Sequence, residues 1–209
     1  KSIQAKKNML IIFDEITSGL RTSLAGIYKK IKFTPNIVVY GKALGNGFAI
    51  NAIVGDECMN YAQNSFISSS FHTERVGFVA ALKTLDIIKK NKLWIHFDKL
   101  GKKITKSWRE IANQNDINIL TNTFYPLPSY SLNYLNSLNY QTFVVQELLK
   151  FKILGASSIY LSMSHTNKEV DFYLKKIEIV FKDLSKIIKS NANSNSYLDI
   201  PKINTGFGR

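Results

Sequence analysis

The hydrophobic and polar positions along the chain alternate between strand-like and helix-like patterns. Met9, Leu10, Ile11, Ile12 and Phe13 form a continuous apolar run of strand length, the pattern of a strand covered on both faces in a parallel sheet. A second short strand is expected over Val38 to Tyr40, after Pro35 and Asn36, and a glycine-rich turn, "GKALGNG", follows it. The string "ERVGFVAALKTLDIIKK" predicts a helix over 74–90. A further helix is expected over 95–112, where Phe97, Leu100, Ile104, Trp108 and Ile111 recur at steps of three and four. Sheet-like stretches at 117–120 and 129–134 flank a loop containing Pro126 and Pro128. Helix returns over 140–150, and "LGASSIYLSMS" at 154–164 reads as a strand.

The last long helix announces its beginning. Thr166 and Glu169 form a T-x-x-E capping box, after which Val170, Leu174, Ile177, Phe181, Leu184 and Ile188 mark one face. Behind it "SNANSNS" reads as a polar linker, and 200–209 as a tail. Strands alternating with helices indicate an α/β fold. A domain boundary is expected near residue 92, giving domains at 1–92 and 93–190 and a linker with tail at 191–209.

Composition changes this picture little. At 209 residues the chain can build a core without staples, and its single cysteine, Cys58, cannot form an internal disulfide. No apolar run approaches the ~20 residues of a membrane span, and no signal-like segment opens the chain, so the expectation is a cytoplasmic protein without a membrane partner. The chain starts at Lys1 and runs almost at once into a buried-type strand, as though its beginning were missing. The net charge of +13 raises nucleic acid as a partner. Its lysines, however, fall in scattered pairs (Lys29 and Lys30, Lys89 and Lys90, Lys102 and Lys103, Lys175 and Lys176), which suits solvated helix faces and argues against nucleic acid.

Candidate chemistry sits at two strand ends. Asp14 and Glu15 close the first apolar run, and ligands of open α/β sheets bind outside the carboxyl ends of strands. Lys42 lies 28 residues later, directly after the second strand, in a turn whose Gly45 and Gly47 suggest close backbone approach or positive φ. Two chemistries need such an acid and such a lysine. A nucleotide triphosphatase core would use "IIFDE" as a Walker-B-like, magnesium-holding strand, but the phosphate loop G-x-x-x-x-G-K-S/T is missing. A pyridoxal phosphate enzyme would use the lysine as covalent anchor and the aspartate against the pyridine nitrogen.

The stretches "LIIFDEITSGLR", "TPNIVVYGKALGNGFAINAIVG", "SSSFHTERVGFVAALKTLDII" and "LGASSIYLSMSHTNKEVDFYL" resemble the class III pyridoxal-phosphate-dependent aminotransferases, the group that includes glutamate-1-semialdehyde aminomutase. The resemblance covers the C-terminal half of such enzymes. It implies a fold type I transferase, with part of the large cofactor-binding domain at 1–92 and a small α/β domain after it. It implies pyridoxal 5'-phosphate as cofactor, with Lys42 as the Schiff-base lysine and base, Asp14 as partner of the pyridine nitrogen, and Ile16 packing on the ring. Ser70, with Ser69 beside it, matches the hydroxyl offered to the cofactor phosphate from the neighbouring subunit. Thr73 is the competing choice, three residues later, and His72 stands where an aromatic residue is common. Glu15 is expected to be structural, as a cap or a salt-bridge partner. The partners implied are an amino donor, a carbonyl acceptor and a second copy in a homodimer with shared active sites. The family's N-terminal phosphate loop and stacking aromatic have no match in the chain. The alternatives are intramolecular amino transfer of the aminomutase type, an inactive truncated remnant, and the ATPase core.

Overall fold

The computed structural model describes residues 9–70, 72–155, 157–190 and 194–203. The chain forms two compact units, Lys1–His96 and Phe97–Arg209.

In the first unit a three-stranded sheet is ordered β1-β2-β3: β1 (Ile12–Asp14), β2 (Ile37–Tyr40) and β3 (Ala52–Gly55). β1 and β2 run parallel, with Asp14 opposite Val39, while β3 returns antiparallel to β2, with Ala52 opposite Tyr40. Asn36 sets the entry to this register, because its side-chain oxygen accepts from Ile11 N at 3.0 Å while Asn36 N donates to Ile11 O at 2.9 Å. Between β1 and β2 lies a one-turn helix, α1 (Ile27–Lys30). The 9–13 run departs from the expected doubly covered strand. Only its last two residues enter β1, and Met9, Leu10 and Ile12 are exposed. The reason is that β1 has β2 as its one strand partner among the described residues and takes the outer position of the sheet. Phe13 is covered, stacked on Phe33 with ring centroids 5.5 Å apart.

Helix α2 (Arg75–Asn91) buries Gly77, Ala81 and Ile88, and ends where Lys92 adopts φ 46°. Helix α3 (Leu93–Gln114) follows directly.

In the second unit the expected α3 stripe is the core. Phe97, Leu100, Ile104, Trp108 and Ile111 are all buried, Trp108 completely. Trp108 Nε1 donates to the Tyr173 hydroxyl at 2.9 Å, and its ring meets Tyr130 edge-on at 4.9 Å. The sheet is a short antiparallel pair, β4 (Ile119–Thr121) and β5 (Tyr130–Leu132). Helix α4 spans Ser137–Lys150 and α5 spans Asn167–Lys189. The capping box forms as expected: Thr166 Oγ1 accepts from Lys168 N at 3.2 Å and Glu169 accepts from Thr166 N at 3.0 Å. The α5 face is buried from Val170 to Leu184, with Ile187 rather than Ile188 at its last buried apolar position.

The segment 154–164 holds no strand among its described residues. It makes an isolated bridge, Ser158 to Ser129, with Tyr130 N donating to Ser157 O and Ile159 N to Pro128 O. Pro128 has no N–H to extend that ladder. Residues 194–203, read from the sequence as linker and tail, lie along α4. There the buried Asn139 donates to Ser194 Oγ at 2.7 Å, Gln146 accepts from Asp199 N at 2.6 Å, and Thr142 accepts from Ile203 N at 3.1 Å.

Candidate functional site

Because β1 and β2 are parallel and in register at Asp14 and Val39, both strands release their chains at the same sheet edge. Asp14 is exposed there, and its Oδ1 accepts from Ile16 N at 3.0 Å, which leaves its other oxygen at the edge. The next residue turns the opposite way. Glu15 is only 1 % exposed; its backbone N donates to Val39 O at 2.9 Å, and its carboxylate accepts from Ser18 Oγ and from Tyr28 N at 3.1 Å. Glu15 is thus a cap for α1 supplied from the preceding strand. Gly26 makes this possible, since a Cβ there would lie 2.5 Å from the Glu15 carboxyl carbon. Burial, with the Tyr28 hydroxyl and the negative charge of Glu15, pushes the Tyr40 phenol far above its ordinary range. A carboxylate enclosed in this way cannot activate a water, so the nucleotide-hydrolase reading of "IIFDE" loses its second acid.

Beyond β2 the chain passes Gly41 and reaches Lys42, whose φ of 41° puts a lysine in the left-handed region that favours glycine. Its Nζ donates to Thr17 Oγ1 at 2.7 Å, crossing from the end of β2 to the turn after β1. Gly41 is buried, and a Cβ there would meet the Asn51 side chain and lie 3.4 Å from Ile16 Cγ2. The turn closes through Leu44 N to Gly41 O at 3.0 Å and Phe48 N to Gly45 O at 3.1 Å. Gly47 takes φ 108° and Gly45 has no room for a side chain against Phe48 O, so both glycine expectations hold. Asp14, Ile16, Thr17 and Lys42 are therefore grouped at one edge of the sheet.

Ser69 and Ser70 make none of these contacts. Both are exposed, in the segment ahead of α2 where His72 N donates to Ser69 O at 3.1 Å. Ser69, His72 and Asn51 help line a pocket of about 260 Å³ against Gly77 and Phe78. Among the described contacts none joins Ser69, Ser70 or Thr73 to Asp14, Ile16 or Lys42. Thr17 and Asn51 are absent from the sequence reading. Thr17 had a usable signal, a hydroxyl three residues past a strand-end acid; Asn51 had none, because its place beside Gly41 depends on the return of β3. No described helix is long and apolar enough to cross a membrane.

Among curated proteins the chain is 36% identical over 110 residues to the 3-aminobutyryl-CoA aminotransferase of Cloacimonas acidaminovorans, an alignment covering 52% of this chain and 27% of that one. It is 26% identical over 198 residues to the glutamate-1-semialdehyde 2,1-aminomutase of Wigglesworthia glossinidia brevipalpis, covering 86% and 46% respectively. Among solved structures, the PLP internal aldimine form of the FumI protein of Sphingopyxis sp. MTA144 matches with a TM-score of 0.83 at 17% identity, over 94% of this chain and 48% of that one. An omega-transaminase from Sphaerobacter thermophilus matches with a TM-score of 0.79 at 18% identity, over 88% and 46%. These matches establish the α/β fold of the transaminases, and the chain spans at most about half the length of the relatives it matches. The family described as aminotransferase class-III matches residues 1–120, a span that holds the whole strand-edge group and the turn carrying Lys42, and the chain belongs to that family.

Proposed function

We propose that the sheet edge of the first unit is the lysine side of a pyridoxal 5'-phosphate site, and that the protein moves an amino group between an amine or amino acid and a carbonyl compound. The observation that carries the reading is the reach of Lys42 Nζ to Thr17, which sets a primary amine at the end of the same strand that bears Asp14. The donor set fits the cofactor: an amine for covalent attachment, a carboxylate for a protonated ring nitrogen, and the branched Ile16 between them as an apolar face. When bound, the cofactor supplies an electron sink that makes a substrate α-hydrogen removable. Asp14 would partner the ring nitrogen, and the ε-amine of Lys42 would take up and return the proton. Ser69 and Ser70 serve the phosphate of a partner subunit's site in a homodimer. We place the protein in the cytoplasm, in keeping with its one free cysteine, Cys58.

Incubation with pyridoxal phosphate, borohydride reduction and peptide mass spectrometry test the assignment. The pyridoxyl mark is expected on Lys42 and lost in Lys42→Ala; a mark retained on another lysine overturns it. Isotopically labelled donor nitrogen appearing in a different product molecule separates transfer between molecules from intramolecular transfer of the aminomutase type.

A further inference from the structure

We propose that Thr17 is the positioning residue of the Lys42 ε-amine, a hydroxyl that partners the amine in both its charged and its neutral form; this rests on the reading of Lys42 above. The distance of 2.7 Å is that of a good hydrogen bond from an ammonium. Side-chain chemistry explains why threonine suits the place. An ammonium is only a donor, and a neutral amine also presents a lone pair. A carboxylate in this position would hold the charged form alone, and an apolar side chain would hold neither. A hydroxyl accepts from the first and, by rotating about its C–O bond, donates to the second.

The hydroxyl is also held in place. Thr17 lies in a turn tied by three hydrogen bonds: Ile16 N donates to Asp14, Gly19 N to Glu15 O at 2.7 Å, and Arg21 Nε to Thr17 O at 2.9 Å. The buried Glu15 carboxylate anchors that turn from below through Ser18. Lys42 itself has left-handed backbone, and Gly41 before it is packed against the Asn51 side chain. Two constrained segments thus meet at one hydrogen bond, while Lys42 itself stays exposed to an incoming amine.

The test compares Thr17→Val, Thr17→Ala and Thr17→Ser with the parent protein, first without cofactor. Trace acetylation by acetic anhydride over a pH series, read by peptide mass spectrometry, reports the reactivity of the Lys42 amine, with the exposed Lys89 as internal reference. Because Lys42 is already exposed, a change in rate reports the hydrogen bond rather than access. Loss of the hydroxyl frees the lone pair it holds in the neutral amine, so Val and Ala are expected to label about threefold faster, the modest effect appropriate to an exposed group. Ser is expected to match the parent. Parent-like labelling in folded Val or Ala across the series overturns the proposal, as does a Ser variant that behaves like Val. If Val alone misfolds, Ala decides. Borohydride trapping of pyridoxal phosphate on the parent is the separate arm: its absence at Lys42 removes the cofactor reading, and the labelling comparison still rules on Thr17.

Discussion

Replacing Glu15 by alanine removes the buried tie that joins the end of β1 to the start of α1. Two hydrogen bonds disappear, from Ser18 Oγ and from Tyr28 N, and a 1 % exposed site is emptied next to Gly26. Hydrogen bonds to a charged acceptor are worth about 1.5 to 3 kcal/mol each. Releasing the carboxylate from its desolvated position offsets part of that sum. A net loss of about 2 kcal/mol in the free energy of local opening is the outcome, and by mass action this speeds amide exchange about thirtyfold. Hydrogen-exchange mass spectrometry on peptides covering residues 15–31 is the assay, with Tyr28 as the amide that should respond most. Glu15→Gln keeps an oxygen for the Tyr28 N–H and should fall between parent and alanine. A Glu15→Ala protein whose 15–31 peptides exchange at the parent rate would show that the carboxylate does not hold this turn, and the claim that Glu15 anchors the segment carrying Thr17 would fall with it.

Two further outcomes are expected. Gln146→Leu keeps the side-chain volume but leaves Asp199 N and Tyr197 O without their partner, so limited proteolysis should cut within 197–203 faster while the far-ultraviolet circular dichroism of the helices is unchanged; an unaltered cleavage pattern refutes it. Burial raises the phenols of Tyr130 and Tyr173 above the ordinary value of 10.0, so their stabilising contribution is complete below about pH 10 and is lost as the pH climbs from there toward the folded-state values. Tyrosinate absorbance should therefore show these two ionising only as the second unit unfolds; reversible ionisation of all ten tyrosines in one step, with the helices intact, refutes this.

What could be read beforehand was what neighbouring residues settle among themselves. The Thr166 and Glu169 capping box needs only four residues and a helix to follow, and the Phe97 to Ile111 stripe needs only helical periodicity. Asp14 and Lys42 stood out in the sequence because each comes at or just beyond the end of an apolar strand run, and the family resemblance implied roles for them. What needed partners far away in the chain was missed. Met9, Leu10 and Ile12 are as apolar as a central strand, but coverage depends on what packs against them. The 154–164 segment has strand composition, yet Pro128 faces it where a ladder would continue. The expectation of Glu15 as a cap holds, but the helix start it caps, thirteen residues on at Tyr28, and the purpose of Gly26 beside it are revealed by no local pattern.

The mooring of the C-terminal segment on α4 distributes tolerance to substitution unevenly. Near Asn139 the partners are the side chains of Ser194 and Asn195, so identity matters at both ends of those bonds. Farther along, Gln146 and Thr142 bind Tyr197 O, Asp199 N and Ile203 N, all backbone atoms that every residue but proline provides. The instruction for where the segment lies is therefore written on the helix. Residues 197–203 can drift in side chain while keeping their course, whereas Thr142 and Gln146, buried and committed to main-chain groups they do not choose, are the positions where drift should be arrested.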